Sequence, residues 1–232
     1  MHARRLPLIV IGACLLAAGA FVPPWVIFII TAALAKSLAA IGLVVLFRCG
    51  LVSFGHGLFY CLGAYVPAVI GQTYGVTDAV VMVLGAILLS VVAGAIIGAF
   101  LSGYRGVFFA MFNLALSMVL YGLIVKSHWL RGSDGIGLPP PTFLGAHAGN
   151  NSVAIYALTA FCVFATVLLV GRYFLSSIGL RSLGVRDNEI RVEYLGSSAR
   201  QVVFVNYTIS AGLAGMGGAL SAIATGHVAP EL

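Results

Sequence analysis

The chain has 232 residues, 61% of them hydrophobic and only 8% charged, with a formal net charge of +6 and a mean hydropathy of +1.11. Soluble domains carry roughly 25% charged residues, so this composition excludes a soluble globular fold. The basic balance reflects topology and anionic lipid, with no nucleic-acid module in view.

Seven apolar runs approach the roughly 20 residues that cross a bilayer as a helix, and runs this continuous predict helices rather than a barrel. The first, Leu6–Val22, follows Arg4 and Arg5 and contains Ala18-Gly19-Ala20, as a secretory signal would. A second run starts directly after Pro23-Pro24, which makes a retained first span the more economical expectation.

That second run, Trp25–Phe47, carries Lys36 at mid-span. A charge at that depth costs about 2.5–3.5 kcal/mol on insertion scales. Lys36 is therefore expected to face the bundle interior, a subunit interface or water. The third run, Leu51–Ile70, opens with "LVSFGHGLFYCLGAY". Helical spacing puts Ser53, His56, Tyr60 and Gly63 on one face, and Gly50, Gly55, Gly57 and Gly63 permit close contact or a break. Two readings stand open: tight packing with His56 bonded to a neighbouring helix, or the lining of a translocation path.

The fourth run, Ala79–Ser102, carries Gly94 and Gly98 at packing spacing, and the fifth is Gly106–Val125. "GSDGIGLPPP", Gly132–Pro141, predicts a tight turn at Asp134-Gly135 and a stiff extended exit. Val153–Val170 is the sixth run. Val202–Thr225 is the seventh, with Ala211/Gly215 and Ala214/Gly218 as small-residue packing pairs.

Between the last two runs lies an arginine-rich segment. With the N-terminus cytoplasmic, Arg4, Arg5, Arg48, Arg105 and the arginines from Arg172 to Arg200 fall inside, while Lys126 and Arg131 fall outside. Within the segment, Asp187 or Asn188 can cap a short helix, with Asp187 and Glu189 near its positive end. Ile190 and Tyr194 share one apolar face, and Gly196 supplies a left-handed stop. Such a helix docks either on a partner or on the lipid surface.

Catalytic chemistry finds little support. The six acidic residues all lie outside the runs, and Cys14, Cys49, Cys61 and Cys162 are scattered without metal-ligand spacing. Neither lysine has the glycine-rich lead-in of a P-loop. No enzyme, metal site or cofactor is expected, and any ATP is bound by another polypeptide.

Four stretches in order carry a resemblance: "GLVSFGHGLFYCLGAY", "GVFFAMFNLALSMVLYGL", "LRGSDGIGLPPP" and the segment from Gly179 to Leu220. Together they resemble permease subunits of branched-chain amino-acid ABC importers, the Liv-type family, and most closely its LivM-like branch. Phe47-Arg48-Cys49 departs from the glycine-rich lead-in of many relatives, and family members continue past His227–Glu231 through further spans, so the chain is expected to be C-terminally short. The resemblance implies one all-α transmembrane domain over residues 1–232, with about seven spans and a cytoplasmic N-terminus in the inner membrane.

It also implies partners and roles. Two ABC ATPase subunits, a second permease (another chain or a copy of this one) and a periplasmic substrate-binding protein would assemble with it in the lipid bilayer. Asp187, Glu189, Ile190, Glu193, Tyr194 and Gly196 would form the ATPase coupling helix, and Ser133, Asp134 and Gly135 part of the binding-protein docking surface. Lys36, Ser53, His56, Tyr60 and Gly63 are candidates for the translocation path of a branched-chain or related small amino acid. Urea and amide importers use similar permeases. The rival expectation is a secondary transporter or channel with Lys36 and His56 as ion-linked groups.

Overall fold

The computed structural model describes residues 23–143 and 151–230. The first apolar run lies outside them. The described residues form eight α-helices: α1 (Pro24–Phe47), α2 (His56–Tyr74), α3 (Ala79–Leu101), α4 (Gly106–Lys126), α5 (Asn151–Phe174), α6 (Ser177–Asp187), α7 (Glu189–Tyr194) and α8 (Ala199–Thr225). Pro24 opens α1 where a missing N–H costs nothing. Asp78, Ser176, Asn188 and Ser198 cap α3, α6, α7 and α8 with side-chain oxygens.

Five of these helices, α1, α3, α4, α5 and α8, are long and apolar enough to cross a membrane. The expected third span differs from the apolar run that suggested it. Residues 51–55 are not helical, and α2 starts only at His56. Gly50 takes φ +74°, and Gly55 lies so close to the Asn113 backbone that a Cβ there would overlap it. The chain thus turns inward before α2 begins. Twelve of the 19 residues of α2 are buried, so His56, Tyr60 and Tyr65 meet protein rather than lipid, while Gln72, Thr73 and Tyr74 at its far end are exposed.

The centre of the bundle is α8. Along its most apolar stretch 72% is buried, against 22% to 33% in the other four long apolar helices. Its small residues let three helices press against its backbone. A Cβ on Gly217 would sit 2.6 Å from the Ala35 carbonyl oxygen of α1, and one on Gly218 would overlap the Tyr60 carbonyl of α2. Gly94 of α3 faces Ala211, and Gly98 meets the Tyr207 ring 2.8 Å from a built Cβ. The small-residue pairs in both helices are packing features, because removing side chains allows the close approach that drives association in lipid.

Chain direction alternates along the bundle, so Arg48, Arg105 and the α6–α7 loop gather at the N-terminal end of α8. Arg48 Nη2 donates to the Gly179 carbonyl at 3.5 Å and its guanidinium stacks over Phe174 at 4.1 Å. At the opposite end the Gly132–Pro141 connector is more ordered than turn chemistry predicts. Its β1 strand (Ile136–Gly137) pairs antiparallel with β2 (His227–Val228), matching Ile136 to Val228 and Gly137 to His227.

Candidate functional site

The polar face of α2 is turned into the bundle. The Ser210 hydroxyl of α8 donates to the Gly42 carbonyl of α1 at 2.5 Å. Its one proton is thereby used, so it accepts from His56 Nε2–H at 2.6 Å. One hydroxyl joins α1, α2 and α8, and His56 Nδ1 is left buried without a hydrogen-bond partner among the described residues. Gly63 lies against Gly215, and Tyr60 presses its carbonyl onto Gly218. Ser53 is buried as well, but it lies in the non-helical stretch before α2, so it does not share a helical face with the other three as the sequence suggested. Lys36 stays apart, on the exposed side of α1.

A second buried polar contact lies near this face. The Tyr207 hydroxyl of α8 donates to Asn113 Oδ1 of α4 at 2.5 Å, and Asn113 Nδ2 donates to the Phe109 carbonyl at 2.9 Å. The Phe59 and Phe109 rings meet Tyr207 edge to face, at centroid separations of 5.5 and 5.8 Å. Sequence reasoning passed over both residues. The available signal was a lone amide in the apolar run "GVFFAMFNLALS".

At the arginine-rich end, α6 and α7 form a helical hairpin beneath the bundle. Asn188 is the cap, accepting from the Arg191 N–H at 3.0 Å. Asp187 instead closes α6 and pairs with Arg186 at the surface, 3.3 Å away. Val192 is buried, pointing toward Gly184 of α6. The other side of α7 is bare: Ile190 is 65% exposed, Tyr194 88% and Leu195 79%. Glu193 is exposed beside them. Gly196 takes φ +77°, the left-handed turn that returns the chain to α8. Leu195 belongs to the apolar patch and went unnoticed in the sequence, since it lies past the i, i+4 pair.

Glu189 faces inward. Its carboxylate receives Arg105 Nη2 at 2.6 Å and Nε at 2.9 Å, a fork closed by a guanidinium from the α3–α4 turn. Cys49 lies nearby in the α1–α2 connector, and burial pushes its thiol from an ordinary 9.0 up to about 12 against the opposing pull of Arg105 and Arg48. Among the described residues no three His, Cys, Asp or Glu side chains come close enough to hold a metal ion.

At the far end, Asp134 is exposed in a 3₁₀ turn over Gly132–Asp134. The side chain of Ser133 lies outside the described residues. Gly135 is buried at φ +70°, where a Cβ would overlap the Val228 carbonyl. Its absence of a side chain serves the β1–β2 pairing.

Comparison with known proteins fits this architecture. The model of the family described as branched-chain amino acid transport system / permease component matches residues 25–232. Two curated relatives are named high-affinity branched-chain amino acid transport system permease protein LivM. The one from Escherichia coli K12 is 25% identical and the one from Salmonella typhimurium LT2 is 26% identical, each over 206 residues that cover 78% of this chain. The aligned part is 48% of either relative, so the chain spans about half the length of the curated proteins it matches. No solved structure matches. With nearly all of its described bundle inside the family model, the chain belongs to the family of branched-chain amino acid transport system permease components.

Proposed function

We propose that the chain is a membrane-spanning permease subunit of an ABC importer for branched-chain or related small amino acids, working by alternating access with separate ATPase subunits. The observation that carries this reading is the bare apolar side of α7. Ile190, Tyr194 and Leu195 protrude from the arginine-rich end of the bundle, on a helix whose other side is fixed by Val192 and Glu189. An exposed aliphatic-aromatic patch on a rigid helix suits insertion into a groove on a partner protein.

The charge distribution supports a cytoplasmic place for that end, because it collects Arg48, Arg105, Arg181, Arg186, Arg191 and Arg200 while Lys126 and Arg131 lie at the other. The N-terminus then lies inside as well, the membrane is the inner membrane, and the first run and α2 bring the spans to about seven. The turn at Asp134 faces a periplasmic binding protein. Lys36 faces outward at mid-depth, where a second permease subunit covers it. His56, Tyr60 and Gly63 stand on the packed side of the path, where they hold α2 to α8, and Ser53 stands just before α2 on the same side.

Co-purification with candidate ATPase subunits tests the reading. Tyr194→Asp should release the ATPases and abolish uptake at normal expression. Retention of ATPases and uptake by that variant would remove the docking assignment. The ion-coupled alternative would use Lys36 and His56 as ion-linked groups; His56 is bonded to Ser210 inside the bundle, and Lys36 is exposed on α1.

A further inference from the structure

The Arg105–Glu189 pair is the centre of a joint that ties four elements at the end of the bundle where α7 lies. Arg105 holds both carboxylate oxygens of Glu189 through Nε and Nη2. With its remaining nitrogen, Nη1, it donates to the Ser102 carbonyl at 2.5 Å and to the Tyr104 carbonyl at 2.9 Å. Arg200, in the first turn of α8, completes the joint from the other side. Its Nε donates to Ser102 Oγ at 3.1 Å, and its Nη2 to the Ala99 carbonyl at 3.0 Å. Two guanidiniums therefore occupy the orphan carbonyls and the negative end of α3. One of them holds α7, and the other belongs to the central helix.

The pair is also partly withdrawn from water, with side-chain exposures of 29% for Arg105 and 34% for Glu189. Screening is weaker there than for a more exposed pair such as Arg186–Asp187, at 52% and 70%. The planar fork fixes direction as well as distance, which a lysine at position 105 could not do.

We infer that Arg105 and Glu189 are the strut through which displacement of α7 is transmitted to α3 and α8, rather than part of the surface that binds the ATPase. This rests on the coupling role proposed above for α7. Ile190, Tyr194 and Leu195 take hold of the partner, and the ion pair carries their movement into the membrane.

The test uses the full complex, with ATPases, second permease and binding protein, in proteoliposomes. Arg105→Gln and Glu189→Gln should keep the ATPase subunits and the thermal midpoint of the complex. Stimulation of ATP hydrolysis by loaded binding protein should fall about five-fold or more, the range of a broken allosteric coupling. Arg105→Lys, which keeps the charge but not the fork or the bonds to the Ser102 and Tyr104 carbonyls, should recover only part of the stimulation. Normal stimulation in both single variants would overturn the inference. So would loss of the ATPases or of thermal stability in both, since the pair would then serve assembly. Tyr194→Asp separates the two ideas: if it keeps the ATPases bound, the docking role of α7 fails whatever Arg105 does.

Discussion

Gly63 of α2 and Gly215 of α8 bring two backbones together with no side chain between them: a Cβ built on Gly63 would overlap the Gly215 carbonyl. Gly215 is confined from its other side by Ser90 of α3, so three helices meet around one peptide unit. Overpacking a core costs about 1–3 kcal/mol where side chains can shift. Here the obstacle is backbone on one side and a buried serine on the other. Gly63→Leu should therefore prevent correct assembly of the bundle, seen as loss of a monodisperse peak in detergent. A folded, inactive Gly63→Leu protein would mean instead that the residue borders open space.

Tyr207 and Asn113 offer a second test. Removing one partner leaves the other buried and unsatisfied, at a cost of about 1–3 kcal/mol. Tyr207→Phe and Asn113→Leu should each lower the unfolding midpoint. The double variant should lose clearly less than the sum, because the second change removes the orphan left by the first. Strict additivity in thermal unfolding would show that the 2.5 Å contact contributes nothing.

These two contacts show what the sequence discloses and what it hides. Lipid solvation makes helices readable, since apolar runs must bond their own backbones, and α1, α3, α4, α5 and α8 all fall on apolar runs. Local chemistry was legible too: Asn188 is a cap, and Gly196 adopts the left-handed conformation expected of it. What the sequence left open was which face meets what. Ser53, His56, Tyr60 and Gly63 suit a packed seam or a path equally well, because small and polar residues serve both. Pairings between distant segments have no local signature. Asn113–Tyr207, Arg105–Glu189 and the β1–β2 ladder each join residues at least 84 positions apart.

Cys49 provides a measurement that depends on pH. Its thiol is held protonated by burial up to about pH 12, whereas an unfolded cysteine ionises near 9.0. Between those values the folded chain retains a proton that the unfolded chain releases, so the contribution favours folding below about pH 9 and is lost as pH rises toward 12. The thiolate is the nucleophile. Native protein at pH 8 should therefore resist maleimide at Cys49, and denaturant should expose it, read by mass spectrometry in a variant lacking the other cysteines. Rapid native labelling would contradict the buried connector.

Lys36 stands 12 residues from either end of α1 by its place in Pro24–Phe47, give or take one. At 1.5 Å per residue that is roughly 18 Å, beyond the reach of its own side chain to either headgroup layer. An outward lysine at that depth is stable only where something polar covers it. Lys36→Leu should leave insertion intact and weaken recovery of the paired permease subunit in a pull-down. Unchanged pairing and uptake would show that Lys36 meets only lipid or water.

The turn at Gly196 separates backbone strain from crowding. No atom lies within 4 Å of a Cβ built there, and the same is true of Gly57 near the start of α2. The two glycines differ in conformation: Gly196 has φ +77°, while Gly57 lies inside a right-handed helix. A β-branched residue is strongly disfavoured at positive φ, whereas alanine gains roughly 0.5–1 kcal/mol over glycine in a helix. Gly57→Ala should be neutral or stabilising, which checks that added volume alone is tolerated at an open position. Gly196→Val should force the α7–α8 link out of its left-handed turn and reorient the patch formed by Ile190, Tyr194 and Leu195. ATPase subunits should then be lost or poorly stimulated, although α8 keeps its packing and the bundle its thermal midpoint. If Gly196→Val retains both ATPase binding and stimulated hydrolysis, the orientation of α7 does not depend on this turn, and the docking geometry proposed for it is wrong.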